Sequence, residues 1–253
     1  MRDFKGTTKS EEKLFKAFQK ANGSYPNGIV GTQTMTEAAI RLGADCFPLT
    51  VEMYSLPVII GHDIIPFHAS KSVKNYTNSA VGSFTSPRAT TPCSILVTAG
   101  KIIWNEASRA WAGYPEAVMY KCNGKVKMGL FKLATDLPKG TEWAVGGMGL
   151  GAFWNPDGQG FKKIKMPNGS ISDYYSTVAY RTDHIVLGYK LGMMWLVYYK
   201  NKTAKEIDTH MNKYFMFDFA LKGDGGGLAA INGAEGFAKK NTGTKQGYII
   251  QMI

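Results

Sequence analysis

The hydrophobic pattern changes character along the chain. Over Ser10–Ala21, "SEEKLFKAFQKA", apolar residues Leu14, Phe15 and Phe18 recur at helical spacing. Ser10 stands where it can cap the first turn, Glu11 and Glu12 lie at its positive end, and Asn22-Gly23 stops it. "SYPNGIVG" reads as a turn-rich loop, and Thr32–Leu42 as a second helix stopped by Gly43. Beyond about residue 50 the pattern becomes short apolar runs between turns: "LPVIIG", "SAVGSF", "CSILVTAGKIIW", "EWAVGGMGL", "STVAYRT", "MMWLVYY" and "GYIIQMI". "TAGKIIW" and "MPNGSIS" are hairpin-like. Two helical segments interrupt this texture, "HASKSVKNY" and "TAKEIDTHMNKYFMFDFAL". The pattern predicts an α+β fold: a strand-rich, mixed-sheet domain with a few helices over 49–253, preceded by a small helical module over 1–48.

Composition sharpens this picture. The chain has 253 residues, 44% of them hydrophobic, enough for a packed core and too many for wholesale disorder. A formal net charge of +11 points to an anionic partner: a wall polymer, a phosphorylated sugar, a nucleic acid or a membrane surface. Runs such as "GKVKMGLFK" and "GFKKIKMPNG" read as strands with solvated lysines, and nucleic acid is disfavoured by the lack of a basic helix or aromatic RNA-binding motif. Cys46, Cys93 and Cys122 are odd in number with no CxxC pair, so neither a disulfide framework nor a zinc cluster is expected. The N-terminus has no apolar signal core, and no run reaches the roughly 18 apolar residues of a membrane span. Synthesis in the cytosol is expected, without stable membrane insertion; action at the wall would need release by another agent.

Around "PNGIVGTQT" the order of residues is more specific. Phe18-Gln19, Asn27-Gly28-Ile29-Val30-Gly31 and Gln33-Thr34 resemble the peptidoglycan-binding domain type 1 pattern of an "LQ" helix, a "DGxxG" loop and an "xT" helix start, over residues 10–44. A cell-wall glycan or anionic wall polymer is the partner this resemblance implies.

"LKGDGGGLAAINGAEG" raises a different question. Consecutive glycines allow backbone conformations closed to other residues, and successive N–H groups can then converge on an anion. With a helix and an apolar approach before it, Asp224 is expected at the end of a buried element. The order of motifs resembles the phosphodiester glycosidase family over residues 55–253. The matching segments are Thr203–Phe215 for a helix, Asp224-Gly225-Gly226-Gly227 for its "DGGGS" run, and Arg181-Thr182 for an "RT" pair on a strand. Val145-Gly146-Gly147-Met148 matches a second Gly-rich loop, and "NSAVGSFTSP" with "ILVTAGKIIW" is similar to the family's Asn-Gly-Phe-Phe turn and following hairpin.

The resemblance implies a role for each matched position. Asp224 would be the catalytic carboxylate. Gly146, Gly147, Gly225, Gly226 and Gly227 would shape an anion pocket, with Arg181 and Thr182 on phosphate oxygens and Ser83 among the substrate-binding groups. A second carboxylate is left open among Glu106, Asp183, Asp218 and Glu235. His184 is a candidate base, and His62 and His68 flank Asp63 without chelating spacing, so no metal ligand is assigned, and the cofactor is left open. Trp104, Trp111, Trp143, Trp154 and Trp195 are expected mostly as core anchors, with one or two at most touching ligand. The expected activity is glycoside hydrolysis at a sugar-phosphate phosphodiester of the bacterial envelope, as in a phage lysin. Leu228 stands where the family commonly has serine, and Val81-Gly82-Ser83-Phe84 lacks the family's asparagine. Those departures motivate an alternative, a non-catalytic protein that sequesters a nucleotide-like or sugar phosphodiester.

Overall fold

The computed structural model describes residues 56–69, 72–82, 91–107, 115–153, 181–233 and 248–253, together with 4–5, 13, 16–17, 19–20, 29–30, 164–165, 171–172 and 236–239. The chain divides into two compact units, Met1–Leu56 and Pro57–Ile253.

In the first unit, β1 (Phe4–Lys5) pairs antiparallel with β2 (Ile29–Val30). Strand pairing therefore occurs inside the segment expected to be a loop. Lys13, Lys16, Ala17, Gln19 and Lys20 are helical, with Gln19 buried. The expected second helix and the Asn27-Gly28 turn lie outside the described residues.

The second unit carries β3 (Val58–Gly61), β4 (Ile64–His68), β5 (Ser79–Val81), β6 (Leu96–Thr98), β7 (Lys101–Trp104), β8 (Glu116–Cys122), β9 (Lys125–Phe131) and β10 (Thr141–Leu150). There follow β11 (Ile164–Lys165), β12 (Ile171–Ser172), β13 (Thr182–Lys190), β14 (Met193–Lys202), the helix α1 (Ala204–His210), β15 (Phe219–Gly225), β16 (Ala230–Gly233), β17 (Gly236–Lys239) and β18 (Tyr248–Met252). A nine-stranded sheet runs β3-β14-β13-β15-β10-β6-β7, with β8 paired to β10 and β9 to β8. A five-stranded sheet runs β17-β16-β5-β18-β4. β11 and β12 pair as expected for "MPNGSIS".

Every pairing among the described residues is antiparallel, where a mixed sheet was expected. The reason is local. Ala99-Gly100, Asn123-Gly124 and Leu191-Gly192 have positive φ at both residues, the geometry of two-residue hairpins that can join only antiparallel neighbours. "HASKSVKNY" is shorter than predicted, a single 3-10 turn at Val73–Asn75 capped by Ser72. The predicted helix from Thr203 also ends early. α1 is opened by a capping box between Thr203 and Glu206, widens into a π turn at Met211–Phe215, and stops at Met216 in a left-handed conformation. Beyond it, "FALKGDG" is strand.

The core lies between the two sheets. Leu96, Met119, Val145, Leu187, Leu196 and Leu221 from the large sheet meet Ile64, Val81, Ile231, Ile249 and Ile250 from the smaller one. Each such side chain, fully withdrawn from water, contributes roughly 1.5–3 kcal/mol. Among the described residues no helix is long and apolar enough to cross a membrane.

Candidate functional site

β15 ends the buried approach to the glycine run, and its pairing is irregular where Asp224 stands. His184 pairs with Gly225 and Val186 with Lys222, so Gly223 and Asp224 together face the single residue Ile185. This is a β-bulge, a device that turns a side chain out of the regular alternation. The bulge is held from the other sheet: the Asp224 amide donates to Gly82 O at 2.9 Å, and the Gly82 amide donates to Tyr248 O at 2.8 Å. A Cβ on Gly223 would lie 2.4 Å from Gly82 O, so only glycine permits this approach.

The Asp224 side chain is buried and turned back, its Oδ1 accepting the Gly225 amide at 2.7 Å. Gly226, at φ +66°, opens a short 3-10 turn, and a Cβ there would lie 3.7 Å from Thr182 Oγ1. A Cβ on Gly225 would strike His184 Nδ1 at 2.6 Å. The fold thus gathers Asp224, Gly225, Gly226, Gly227, Thr182 and His184 at one end of β13 and β15. His184 is buried, its Nε2 3.0 Å from Lys202 O.

Arg181 precedes Thr182, but its guanidinium points to α1. It donates to Glu206 Oε1 at 2.5 Å and to Asn201 O at 3.4 Å. Bonds from the Thr203 amide and hydroxyl, followed by Arg181, hold the Glu206 carboxyl below its ordinary pKa.

Gly146 and Gly147 are not a loop. They lie inside β10, both buried, where the strand leaves β8 and takes up β15: Gly147 pairs with Ala117 and Met148 with Lys222. A Cβ on Gly147 would come within 2.7 Å of Lys222 O, and one on Gly146 within 2.2 Å of Glu116 Oε1. Their smallness admits a neighbouring strand and a neighbouring carboxylate. Ser83, Glu235, Trp111 and Trp154 lie outside the described residues.

The remaining carboxylate candidates separate. Asp183 is committed to structure, accepting Tyr198 Oη at 2.5 Å and the Asn201 amide at 2.9 Å. Burial and this carboxylate hold the Tyr198 hydroxyl protonated, its pKa raised. Asp218 is exposed near the Leu191 hairpin, whose amide it accepts at 3.3 Å, and Glu106 is exposed beside Leu133. His62 and His68 are exposed rather than partly buried, and Asp63 between them accepts Lys121 Nζ, the Trp143 indole and the Ile64 amide. His210, expected on the surface, is half-buried against Tyr199 and Tyr214.

Two buried charges went unread in the sequence. Glu116 is fully buried; its Oε2 accepts Ser94 Oγ at 2.5 Å and its Oε1 the Ile95 amide at 2.6 Å. Burial, with Glu116 adding, raises the Tyr248 hydroxyl well above its ordinary pKa. Lys222, 1% exposed, donates to Gly223 O at 3.1 Å. Burial lowers its pKa to about 8, and the charge of Asp224 opposes that shift. A lysine inside the apolar run "FALKGDG" was a legible signal. Glu116 had none beyond the neighbouring glycines that make room for it.

No family model matches the chain, and no curated protein matches its sequence. Among solved structures it is similar to the catalytic domain of zebrafish N-acetylglucosamine-1-phosphodiester alpha-N-acetylglucosaminidase, auto-inhibited by its pro-peptide. That match has a TM-score of 0.58 at 11% identity and covers 75% of this chain and 72% of that one. A hypothetical protein from Synechocystis matches at a TM-score of 0.46 and 11% identity, over 78% of this chain and 59% of that one. At this identity the first match shows a shared fold.

Proposed function

We propose that the Pro57–Ile253 unit is a glycoside hydrolase acting on a sugar-phosphate phosphodiester, with Asp224 as its essential carboxylate. The observation that carries the reading is the bulge at Gly223-Asp224. It turns a buried carboxylate toward a glycine turn with a hydroxyl, Thr182, beside it. The fold shared with a phosphodiester glycosidase domain supports the same chemistry. Asp224 would act at the glycosidic centre, the amides of Gly225–Gly227 and the Thr182 hydroxyl would face the phosphate, and Arg181 would join them after leaving Glu206. A phosphate is a good leaving group, which lowers the demand on a second acid. The envelope of a bacterium is the proposed setting, with residues 10–44 as the wall-binding part, as in a lysin. The net charge of +11 suits adsorption to anionic wall polymers.

The test is release of N-acetylglucosamine from a model GlcNAc-1-phosphodiester by the purified chain. The Asp224→Asn variant should lose activity by about a hundredfold or more while keeping its circular dichroism spectrum. Full activity in that variant overturns the assignment.

A second reading, binding without turnover, is favoured by the engagement of Asp183 and Glu116 in structural hydrogen bonds. Mass spectrometry of ligand recovered after denaturation separates the two: intact phosphodiester supports binding alone, and cleaved products support the enzyme.

A further inference from the structure

The chemistry proposed for the glycine turn makes no use of Lys222, a cation that is 1% exposed. It stands on β15 between Met148 of β10 and Val186 of β13. An apolar side chain would suit this place in "FALKGDG" without the cost of burying a charge. Perturbed charges in the company of another ionisable group concentrate at functional sites. The Lys222 ammonium lies against the peptide that carries Asp224. Its Nζ donates to Gly223 O at 3.1 Å, while the amide at the other pole of that same peptide, Asp224 N–H, donates to Gly82 O at 2.9 Å. The contact with Gly82 sets the direction of the bulge, and Lys222 backs it with a charge-assisted bond.

The same ammonium bears on the carboxylate. Burial pushes the Lys222 pKa down, and the charge of Asp224 pushes it back up. Such an attraction acts equally on both partners, so Lys222 favours the ionised form of Asp224. The elements packed around this end of β15 also bring Asp183 and His184 on β13, Glu116 on β8 and Tyr248 on β18. Asp183 accepts the Tyr198 hydroxyl and the Asn201 amide, and His184 Nε2 lies 3.0 Å from Lys202 O. Glu116 accepts Ser94 Oγ and the Ile95 amide, and the Tyr248 hydroxyl donates to Ile95 O at 3.3 Å. Two of these groups are carboxyls, which oppose a further negative charge beside them; Lys222 offsets that opposition.

We propose that Lys222 is a positioning residue: it backs the Gly223–Asp224 peptide and keeps Asp224 ionised, so that Asp224 brings negative charge and not a proton to the glycosidic centre. The inference rests on the reading of Asp224 as the essential carboxylate, and it gives that carboxylate one of two roles. A glycosidase carboxyl group serves either as the acid that protonates the leaving oxygen or as the anion that faces the positive charge developing on the sugar ring. A phosphate leaving group makes little demand on the first role. A lysine behind the carboxylate selects the second, just as apolar burial without a cation selects the first.

The test is an NMR pH titration of the full chain, isotope-labelled at the aspartate carboxyl and lysine ε carbons. The two resonances are assigned by their loss in Asp224→Asn and Lys222→Met. In the unaltered protein the Asp224 signal should show a second, smaller step at the pH where the Lys222 signal itself titrates, about 8. In Lys222→Met the midpoint of Asp224 should rise by about one pH unit or more, and the acid limb of kcat/KM should rise with it. Lys190→Met removes a half-buried lysine that donates to Phe215 O at 2.8 Å, at the far end of β13, and should leave both midpoints where they are. The proposal is overturned if the second step is absent, if the Asp224 midpoint is unmoved in a folded Lys222→Met, or if Lys190→Met moves it as far. The step in the unaltered protein decides the matter by itself if Lys222→Met does not fold. Full activity in Asp224→Asn overturns instead the reading of Asp224, a result that the titration does not touch.

Discussion

The amide of Asp224 and the carbonyl of Gly82 are hydrogen-bonded at 2.9 Å, joining the end of β15 to the residue that follows β5 in the other sheet. The carboxylate proposed for chemistry is therefore aimed by a contact between sheets rather than by its own strand. Gly223→Ala should push these segments apart, because its methyl would stand 2.4 Å from that carbonyl. Overpacking of this kind costs about 1–3 kcal/mol. Gly124→Ala meets no atom within 4 Å but must hold φ +71°, which costs about 1–2 kcal/mol. Urea unfolding measures both losses. Only the Gly223 substitution should also lower phosphodiester cleavage, and equal activity in the two variants contradicts this placement.

Lys222 makes stability depend on alkaline pH. Its folded pKa is lowered from 10.5 to about 8. Below pH 8 both states carry the proton, and the folded state bears the full cost of a buried charge. Between about 8 and 10.5 the unfolded chain holds a proton that the folded chain has released, so stability rises with pH across that window. The difference of 2.5 pK units (10.5 − 8) corresponds to about 3 kcal/mol. Lys222→Met should flatten the rise in unfolding free energy between pH 7.5 and 10 relative to wild type. Parallel pH profiles for the two proteins would remove Lys222 as the source.

Glu116 and Gly146 form one packing unit. Glu116→Gln puts an amide where Ser94 Oγ and the Ile95 amide both donate, and a buried mismatch of this kind costs about 1–3 kcal/mol. Gly146→Ala strikes the same carboxylate at 2.2 Å. Because the two substitutions disturb one contact, the double variant should be more stable than the sum of the single losses predicts. Strict additivity in denaturant unfolding counts against the coupling.

Glu206 restrains Arg181. Glu206→Gln keeps the acceptor for the Thr203 amide but weakens the hold on the guanidinium. If Arg181 serves the phosphate, KM for an anionic substrate should fall in this variant while kcat changes little. Arg181→Ala should raise KM. An unchanged KM in both separates Arg181 from binding.

These expectations rest on features of unequal legibility. "TAGKIIW" announced its hairpin, and the apolar run "MMWLVYY" announced a strand, because turn and strand preferences are local. "EAVMYKC", by contrast, was passed over, although it is the strand that carries Glu116. The end of the long helix was misplaced because Phe217, Phe219 and Leu221 suit a helix as well as a strand. Pairing of "FALKGDG" between β13 and β10 decided the outcome. Gly146-Gly147 looked like a loop because a pair of glycines most often is one; here they accommodate Glu116 and Lys222, which lie far off in sequence. The assembly of Asp224, Gly225 and Thr182 was expected from motif order, while the bulge that turns Asp224 could not be, since it depends on register.

The place of β18 governs how the molecule can be assembled. It lies between β4 and β5, pairing with both, and the backbone of Ile253 bonds to His62 and Asp63. Neither neighbour pairs with the other, so the smaller sheet cannot close until the segment at Tyr248–Met252 has emerged from the ribosome. Until then β4, and the edge of β5 that faces β18, wait unpaired. Such long-range closure makes folding slow and leaves a nascent chain vulnerable to aggregation. Recovery of soluble protein is thus a matter of synthesis rate and temperature as much as of final stability.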